Sequence, residues 1–196
     1  MSMEISELMT RARAAQALFA NATQEQADAA ARAICKVVVD HAKLLARMAV
    51  DETRMGVYED KVGKCLGKGT IIWNDLKTKK SVGIIGFDEE KQVYRVAKPI
   101  GVVASVCPCT NPVITPMSNS AFALKCRNAV IVAPHPRSKN TSKYVTDLFR
   151  AELEKLGLPA DLVQGIEEPS IELTAELMSA ADVTVATGGM GMVRSA

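Results

Sequence analysis

The residues best suited to chemistry in this sequence are concentrated in one segment, Cys107-Pro-Cys-Thr-Asn-Pro-Val-Ile-Thr-Pro116. Within it, Pro112 disfavours the α region for Asn111 and holds that residue extended. An amide fixed in this way at the carboxyl end of a strand could direct its NH2 group into a cleft and stabilise an oxyanion. The alternative is an ordinary Asn-Pro turn, and the dipeptide taken alone favours that simpler interpretation.

A second segment, Thr187-Gly-Gly-Met-Gly191, places small residues just before an expected helix. The free N–H groups and the dipole of a helix start favour an anionic group such as a phosphate. A tight turn that needs glycine explains the segment equally well. The usual GxGxxG fingerprint is absent from the first segment, which contains no glycine, so its backbone cannot approach a pyrophosphate in the usual way.

The five cysteines and two histidines do not form a recognisable thiol or metal site. Cys107 and Cys109 flank a proline, which is not the CxxC spacing of redox or zinc motifs. His41 and His135 fall elsewhere in the chain, so no general base stands beside either thiol. Cys126 is expected to end a helix as a buried, apolar side chain.

The elements that must position these segments change in character along the chain. Residues 1–80 are expected to be helical, residues 81–98 to form a β-hairpin around the polar turn 88–91, and residues 99–196 to alternate strands with helices. The expected helices are 5–19, a long one that runs from the capping pair Thr23 and Gln26 to Met48, about 59–76, 115–125, 142–156, 171–178 and a last one from near Gly189. The expected strands are 100–106, 129–133, 162–166 and 183–186. This alternation predicts an α/β fold with a doubly wound, mostly parallel, Rossmann-like sheet, whose ligands bind beyond the carboxyl ends of the strands.

Composition narrows the class of protein. The 196 residues are 48% hydrophobic and 23% charged, as in a globular protein of one or two domains. The net charge of +2 gives no reason to expect nucleic acid or a membrane surface as partner, and no apolar run is long enough to span a bilayer. Five cysteines without a framework spacing indicate a cytoplasmic protein. The last helix has no cap and no following strand, so we expect the chain to be a fragment.

Five stretches of the sequence together resemble the CoA-acylating aldehyde dehydrogenases, and most of all the aldehyde domain of bifunctional aldehyde–alcohol dehydrogenases. They are Glu52-Thr-Arg-Met-Gly-Val-Tyr-Glu-Asp-Lys61, Lys98-Pro-Ile-Gly-Val-Val103, Pro108-Cys-Thr-Asn-Pro112, Arg127-Asn-Ala-Val-Ile-Val-Ala-Pro-His-Pro-Arg137 and Ala186-Thr-Gly-Gly-Met-Gly191. The resemblance implies that residues 1–196 are the amino-terminal part of an unusual NAD(P)-binding domain without the GxGxxG loop. It also implies that the catalytic domain, with its nucleophilic cysteine, lies beyond Ala196.

The resemblance assigns roles to individual residues. Asn111 matches the family's oxyanion-hole asparagine, and Thr110, Pro112 and Thr115 belong to a loop that lines the nicotinamide end of the cofactor site. Gly188 and Gly189 match glycines at the helix that faces the cofactor.

His135 stands where non-acylating relatives usually have a lysine that meets the adenosine ribose, and this departure favours the acylating branch. Arg137 and Lys139 could meet the 2′-phosphate of NADP, or could simply begin a solvated helix, so the choice between NAD and NADP stays open.

The implied reaction converts a small aldehyde and coenzyme A to acyl-CoA through a cysteine thioester, with transfer of hydride to NAD or NADP. The aldehyde is left open among acetaldehyde, longer aliphatic aldehydes, semialdehydes and sulfoacetaldehyde. The hairpin 81–98 resembles the family's oligomerisation arm and implies a homo-oligomer. Two alternatives remain: a related acyl-phosphate reductase, and a non-catalytic nucleotide-binding module.

Overall fold

A computed structural model describes residues 2–195 of the chain. The helices are α1 (Met3–Phe19), α2 (Gln24–Asp40), α3 (Ala42–Thr53), α4 (Tyr58–Leu76), α5 (Ile114–Lys125), α6 (Lys139–Lys155), α7 (Ile171–Ala180) and α8 (Met190–Ser195). The strands are β1 (Gly83–Asp88), β2 (Val93–Ala97), β3 (Val102–Val106), β4 (Ala129–Ala133), β5 (Val163–Gly165) and β6 (Val183–Ala186). Within these residues no helix is both long and apolar enough to cross a membrane.

The main sheet is parallel and has the strand order β5-β4-β3-β6. From β3 the chain moves outward through β4 to β5, and it then returns to place β6 on the other side of β3. The direction of winding therefore reverses between β3 and β6, which is the topological switch point where open α/β sheets bind ligands. This arrangement confirms the predicted Rossmann-like fold class.

Helices cover both faces of the sheet. Because crossovers between parallel strands are right-handed, α5 and α6 lie on one face, while α7, which returns in the opposite direction, lies on the other. The helix α1 packs against α7 and the central strands, and α2 packs on α5, α6 and α4 to add an outer helical layer. Every residue of β3 and β4 is buried, as expected of strands covered on both sides.

The amino ends of β3 and β6 are fixed to each other by polar contacts. The carboxylate of Asp182 accepts a hydrogen bond of 2.8 Å from the N–H of Val102 and pairs with the guanidinium of Arg13. Gly101 has φ +139°, and a β-carbon there would lie 2.2 Å from the Asp182 carboxylate. Only glycine fits this close approach.

The hairpin β1–β2 is anchored at its base and exposed along its length. The hydroxyl of Ser81 donates to Lys125 O at 2.6 Å, and Gln24 Oε1 accepts from the N–H of Ser81 at 2.8 Å. Arg127 bridges the base of the hairpin to α1, because its guanidinium donates to Ala97 O at 3.0 Å and to Ala20 O at 2.6 Å. The strands beyond this base are antiparallel and apolar, yet exposed.

Some of the sequence-based boundaries are wrong. The expected long helix to Met48 is broken at His41, where the backbone leaves helical geometry (φ −103°, ψ 16°) and the ring nitrogen Nδ1 lies 3.0 Å from Val37 O. The preceding valines are poor helix formers, so a break in the helix there costs little free energy. The strand expected from Ile100 begins at Val102, and Ile100 is exposed. The helix expected from Ser142 begins three residues earlier.

The early start of α6 has a long-range cause. The carboxylate of Glu52, on α3, accepts hydrogen bonds of 2.8 Å from the N–H groups of Asn140 and Thr141 and one of 2.6 Å from the Thr141 hydroxyl. A carboxylate satisfies the free N–H groups of a helix start and interacts favourably with its dipole. Glu52 therefore caps α6 from a distant part of the chain.

Candidate active site at the carboxyl edge of the sheet

Three loops leave the same edge of the sheet, after β3, β4 and β6. The N–H of Cys107 donates to Ala133 O at 2.9 Å, and the N–H of Thr187 donates to Val106 O at 3.1 Å. These bonds extend the parallel ladders by one residue beyond the strands. The loops that carry Asn111, His135 and the glycines therefore start side by side, with the switch-point crevice between the first and the last of them.

Asn111 lies at the start of α5, half-buried and held on both its backbone and its side chain. Its N–H donates to Pro108 O at 3.3 Å, and its carbonyl accepts from the N–H of Thr115 at 3.3 Å. The side-chain oxygen Oδ1 accepts a hydrogen bond from the ammonium group of Lys64, on α4. Within residues 2–195 the side-chain NH2 of Asn111 donates to no protein group.

A second lysine of α4 supports the same loop. Lys61 donates to Thr110 O at 3.3 Å. Burial, and after it the charge of Lys64, lower the pKa of the Lys61 ammonium. The two lysines, Cys65 and Asn111 border a cavity of about 20 Å³, which has room for about one water molecule.

The other residues predicted from this loop differ in exposure. Thr110 is exposed, whereas Pro112 and Thr115 are buried. The carbonyl of Pro112 accepts a hydrogen bond of 3.1 Å from the hydroxyl of Ser142, on α6. Thr110 is thus accessible to solvent, and Pro112 and Thr115 pack beneath the loop that carries Asn111.

The two predicted glycines after β6 are exposed, and they differ in the space around them. A β-carbon added to Gly188 would lie 2.5 Å from the terminal methyl of Met192. At Gly189 an added β-carbon would meet no atom within 4 Å. The backbone at Gly189 is therefore open to a bound group, although the helix that follows has six residues and a weak dipole.

His135 is exposed beyond β4 and caps a short 3-10 turn. Its Nδ1 accepts a hydrogen bond of 3.1 Å from the N–H of Arg137, so in the neutral ring the proton sits on Nε2. The two cations beyond it already have protein partners. Arg137 donates to Thr53 O at 3.3 Å, and Lys139 is paired with the carboxylate of Glu168.

The thiols near this edge are not poised to react. Burial raises the pKa of Cys107 to about 12 and that of Cys65 to about 11, so both are protonated at neutral pH. Cys109 is buried, and no histidine is hydrogen-bonded to it within the described part of the chain. The expectation that Cys126 is buried is wrong, because this residue follows α5 where the backbone leaves the helix and its side chain is exposed.

The sequence-based reasoning gave no role to several residues at this edge, among them Lys64 and Glu52. Lys64 contacts the side chain of Asn111, and Glu52 caps the helix that packs against Pro112. Glu52 is the first residue of one of the family stretches, which was the one available signal. Lys64 lies just outside that stretch, and nothing in its local pattern separates it from other surface lysines of α4.

A cleft of about 470 Å³ lies away from Asn111, beside β5 and between α1 and α6. Its rim carries ion pairs such as Arg11 with Asp161 and Lys143 with Glu167. The buried oxygens of Thr146 and Gln164 that lack a hydrogen bond there are inaccessible to solvent. The switch-point crevice remains the better candidate site, because the loops that carry the predicted catalytic and binding residues start at its edge.

Comparison with known proteins defines the class. The model of the aldehyde dehydrogenase family matches residues 1–192. The chain is 51% identical over its whole length to a succinate-semialdehyde dehydrogenase (acetylating) of Clostridium kluyveri, and it covers 44% of that relative. It is 38% identical, over 98% of its length, to the bifunctional aldehyde-alcohol dehydrogenase of Escherichia coli, of which it covers 22%. The chain belongs to the aldehyde dehydrogenase family, and it spans less than half the length of these relatives.

Solved structures agree with this assignment. An acetylating aldehyde dehydrogenase from Geobacillus thermoglucosidasius superposes with a TM-score of 0.94 at 36% identity, over 98% of this chain and 43% of that one. The propionaldehyde dehydrogenase of Rhodopseudomonas palustris, solved with bound CoA and an acylated cysteine, gives 0.82 at 30% identity, over 97% and 44%. An engineered glycolyl-CoA reductase with bound NADP+ gives 0.81 at 29% identity, over 97% and 44%. The resemblance to acylating aldehyde dehydrogenases is confirmed.

Proposed function

We propose that this chain is the NAD(P)-binding, amino-terminal part of a CoA-acylating aldehyde dehydrogenase. The intact enzyme would convert a small aldehyde and coenzyme A to acyl-CoA through a thioester on a cysteine that lies outside the 196 residues. The observation that carries this proposal is the geometry of Asn111. Its amide sits at the switch point with the oxygen engaged and the NH2 group free to donate.

Asn111 would act on the oxygen of the aldehyde. When a thiolate adds to the carbonyl carbon, that oxygen gains negative charge, and the Asn111 NH2 would donate a hydrogen bond to it. The buried Pro112 and the hydrogen bonds from Thr115 and Lys64 hold the asparagine before substrate arrives. A donor that need not reorganise during the reaction stabilises charge most effectively.

The loops at this edge would bind the dinucleotide. We propose that Thr110, Asn111, Pro112 and Thr115 form the loop at its nicotinamide end, and that Gly188 and the open backbone at Gly189 receive the phosphates. When bound, the nicotinamide supplies the acceptor for hydride.

The adenosine end would lie beyond β4. His135 carries its proton on Nε2 and could donate to the adenosine ribose there. Arg137 and Lys139 would have to leave Thr53 and Glu168 before they met a 2′-phosphate, which favours NAD over NADP.

The names of the relatives support coenzyme A as the acyl acceptor and a short aldehyde as substrate. An acetylating succinate-semialdehyde dehydrogenase and a CoA-bound propionaldehyde dehydrogenase are both similar to this chain. A panel of acetaldehyde, a longer aliphatic aldehyde, succinate semialdehyde and sulfoacetaldehyde would identify the substrate in a protein that contains the downstream cysteine.

The decisive experiment uses two proteins. Calorimetric titration of the 196-residue chain with NAD and NADP tests cofactor binding, and an assay of a longer protein with aldehyde, cofactor and CoA tests the chemistry. We expect binding in the first and CoA-dependent reduction of the cofactor in the second. The 196-residue chain alone should show no aldehyde oxidation above background, because it lacks a reactive thiol at the site.

Other results of the same assays would favour the alternatives. Activity of the longer protein with inorganic phosphate in place of CoA would identify an acyl-phosphate reductase. Cofactor binding without any turnover in the longer protein would leave a nucleotide-binding module. CoA-dependent turnover by the 196-residue chain would mean that a local thiol reacts, and Cys109→Ala would test which one.

We further propose that the hairpin β1–β2 makes the protein a homo-oligomer. Ile84, Tyr94 and Val96 on this two-stranded ribbon are more than half exposed, and such a ribbon is rarely stable without a partner surface. Ile84→Lys with Val96→Lys should lower the mass measured by light scattering, whereas Ile71→Lys, on the exposed side of α4, should not.

All five cysteines are free thiols, which supports a cytoplasmic setting.

A further inference from the structure

The contact between α4 and the loop after β3 bears on how Asn111 is oriented. Lys61 and Lys64 lie three residues apart on α4 and both reach this loop. Lys61 binds the backbone at Thr110, whereas Lys64 binds the side-chain oxygen of Asn111. The second contact acts on the group that would carry out the chemistry, and it joins residues that are 47 positions apart in the sequence.

An asparagine amide has two nearly isosteric orientations, which exchange the oxygen and the NH2 group. The proline at 112 restricts the backbone of Asn111 but leaves this side-chain rotation free. A lysine ammonium can only donate, so it pairs with the amide oxygen and disfavours the orientation that would bring two donors together. With Oδ1 held on Lys64, the NH2 group of Asn111 points away from α4.

The positive charge also strengthens the donor. A cation at the carbonyl oxygen polarises the amide and increases the partial charge on its N–H protons. The hydrogen bond is charge-assisted, and bonds of this kind are stronger than neutral ones. Lys64 therefore favours the orientation that an oxyanion donor needs and makes the NH2 group a better donor.

We propose that Lys64 is a positioning residue for the reaction, which acts through the orientation of Asn111. This proposal rests on the proposed oxyanion role of Asn111. It goes beyond that role because it places part of the catalytic effect on a helix outside the nucleotide-binding sheet.

The test is a double-mutant cycle in a longer enzyme that contains the catalytic cysteine. Lys64→Met keeps the length of the side chain and removes its charge and donor, and it should lower kcat about tenfold with little change in the KM for the cofactor. In the Asn111→Ala background the same substitution should have no further effect, because no amide remains to be oriented. Lys64→Arg should restore most of the activity.

Lys68→Met is the matched control, since Lys68 lies one turn along α4, is exposed, and its side chain has no hydrogen bond or ion pair within the described chain. Melting curves of both variants check the fold. Equal kcat for Lys64→Met and Lys68→Met would overturn the proposal, and so would an equal loss on Lys64→Met in both Asn111 backgrounds. If Lys64→Met melts early, Lys64→Arg decides, because native stability with an unrestored kcat contradicts the positioning role.

Different results would contradict the proposed function itself. A wild-type enzyme without CoA-dependent activity, or a fully active Asn111→Ala variant, would contradict the oxyanion role itself. A normal wild type and an impaired Asn111→Ala beside a fully active Lys64→Met would contradict only the role of Lys64.

Discussion

The two loops that meet at the switch point are built in opposite ways. The loop after β3 has no glycine, is largely buried, and is held by hydrogen bonds from α4 and α6. The loop after β6 is exposed and contains two glycines, one of them with open space around its α-carbon. The first is constructed to fix a side chain, and the second to leave the backbone accessible.

This difference fits the nucleotide site proposed for a Rossmann-like sheet that lacks the usual glycine-rich turn after its first strand. A buried loop with β-carbons cannot approach a pyrophosphate closely, but it can hold an amide in one orientation. Under the proposed function, the close approach falls to the opposite side of the crevice, at Gly188 and Gly189. The loop after β3 would then position the reacting carbonyl and the nicotinamide, and the loop after β6 would receive the phosphates.

The largest expected effect comes from removing the amide of the first loop. In a longer enzyme with the catalytic cysteine, Asn111→Ala should lower turnover by about 10²- to 10³-fold, or roughly 3–4 kcal/mol of transition-state stabilisation. kcat and kcat/KM should fall together, and the dissociation constant for the cofactor should hardly change. Steady-state kinetics and a cofactor titration measure these quantities.

Asn74→Ala is a suitable control for this substitution. Asn74 also accepts a hydrogen bond from a lysine, Lys77, at 2.8 Å, but it is exposed near the end of α4, away from the sheet edge. It should leave turnover unchanged. If Asn111→Ala melts early and still turns over aldehyde normally, Asn111 is a structural turn residue and the contrast between the loops loses its mechanistic basis.

At the amino ends of β3 and β6, we expect substitutions to lower the stability of the fold and not to affect catalysis directly. Gly101→Ala would force a β-carbon against the Asp182 carboxylate at a positive φ, and we expect a loss of roughly 2–4 kcal/mol in the free energy of unfolding. Gly157→Ala separates the steric contact from the backbone strain, because Gly157 has φ +70° and no atom lies within 4 Å of an added β-carbon. It should cost only about 1 kcal/mol, from backbone strain alone. Equal losses in thermal melts would show that the contact with Asp182 is unimportant.

A substitution in the loop after β6 should change the affinity for the cofactor. Gly189→Val introduces a branched side chain where the fold has open space, so the melting temperature should stay close to that of the wild type. Crowding of a bound dinucleotide should weaken its binding by about tenfold or more. Gly67→Val, at an open position of α4, should leave binding unchanged. An unaltered dissociation constant in Gly189→Val, by calorimetry, would remove the cofactor from this loop.

How much of this could be predicted from the sequence depends on the range of the interactions. The buried strands β3 and β4 were predicted closely, because a continuous apolar run bounded by turn residues is a local signal. Asn111 could be singled out because its proline neighbour and the short family stretch Pro108-Cys-Thr-Asn-Pro112 are both local signals. The capping pair Thr23 and Gln26 was predicted for the same reason, and both of its hydrogen bonds form.

The features that were missed depend on distant residues. Glu52 caps a helix that starts more than 80 positions later, and Lys64 reaches Asn111 across 47 positions. Neither pairing leaves a periodicity that a sequence window can detect. The exposure of Cys126 was missed because burial at a helix end depends on where the next residues turn, and Arg127 turns there with φ 62°.

The smallest expected effect concerns the polar contact that ties the amino ends of β3 and β6 together, and it appears only in acid. Desolvation would raise the pKa of Asp182, but hydrogen bonds from the Val102 N–H and from Arg13 outweigh it, so the pKa lies below its ordinary value of 3.8. A carboxyl group with a depressed pKa in the folded state stabilises the protein above its unfolded pKa, and this contribution is lost as the pH falls through the folded value. Asp182→Asn should therefore cost less than about 1 kcal/mol at neutral pH, as exposed ion pairs do, and should make the loss of stability below about pH 4 less steep. Urea unfolding at a series of pH values measures both effects.

The free energy of unfolding could instead fall with the same slope in acid for Asp182→Asn and wild type. That result would mean that other carboxylates, such as Asp161 beside Arg11 and Arg150, account for the acid sensitivity. In that case the amino ends of the two strands would be held mainly by the close packing at Gly101. Their contrast with the carboxyl ends, where the site is proposed, would then rest on steric packing and not on charge.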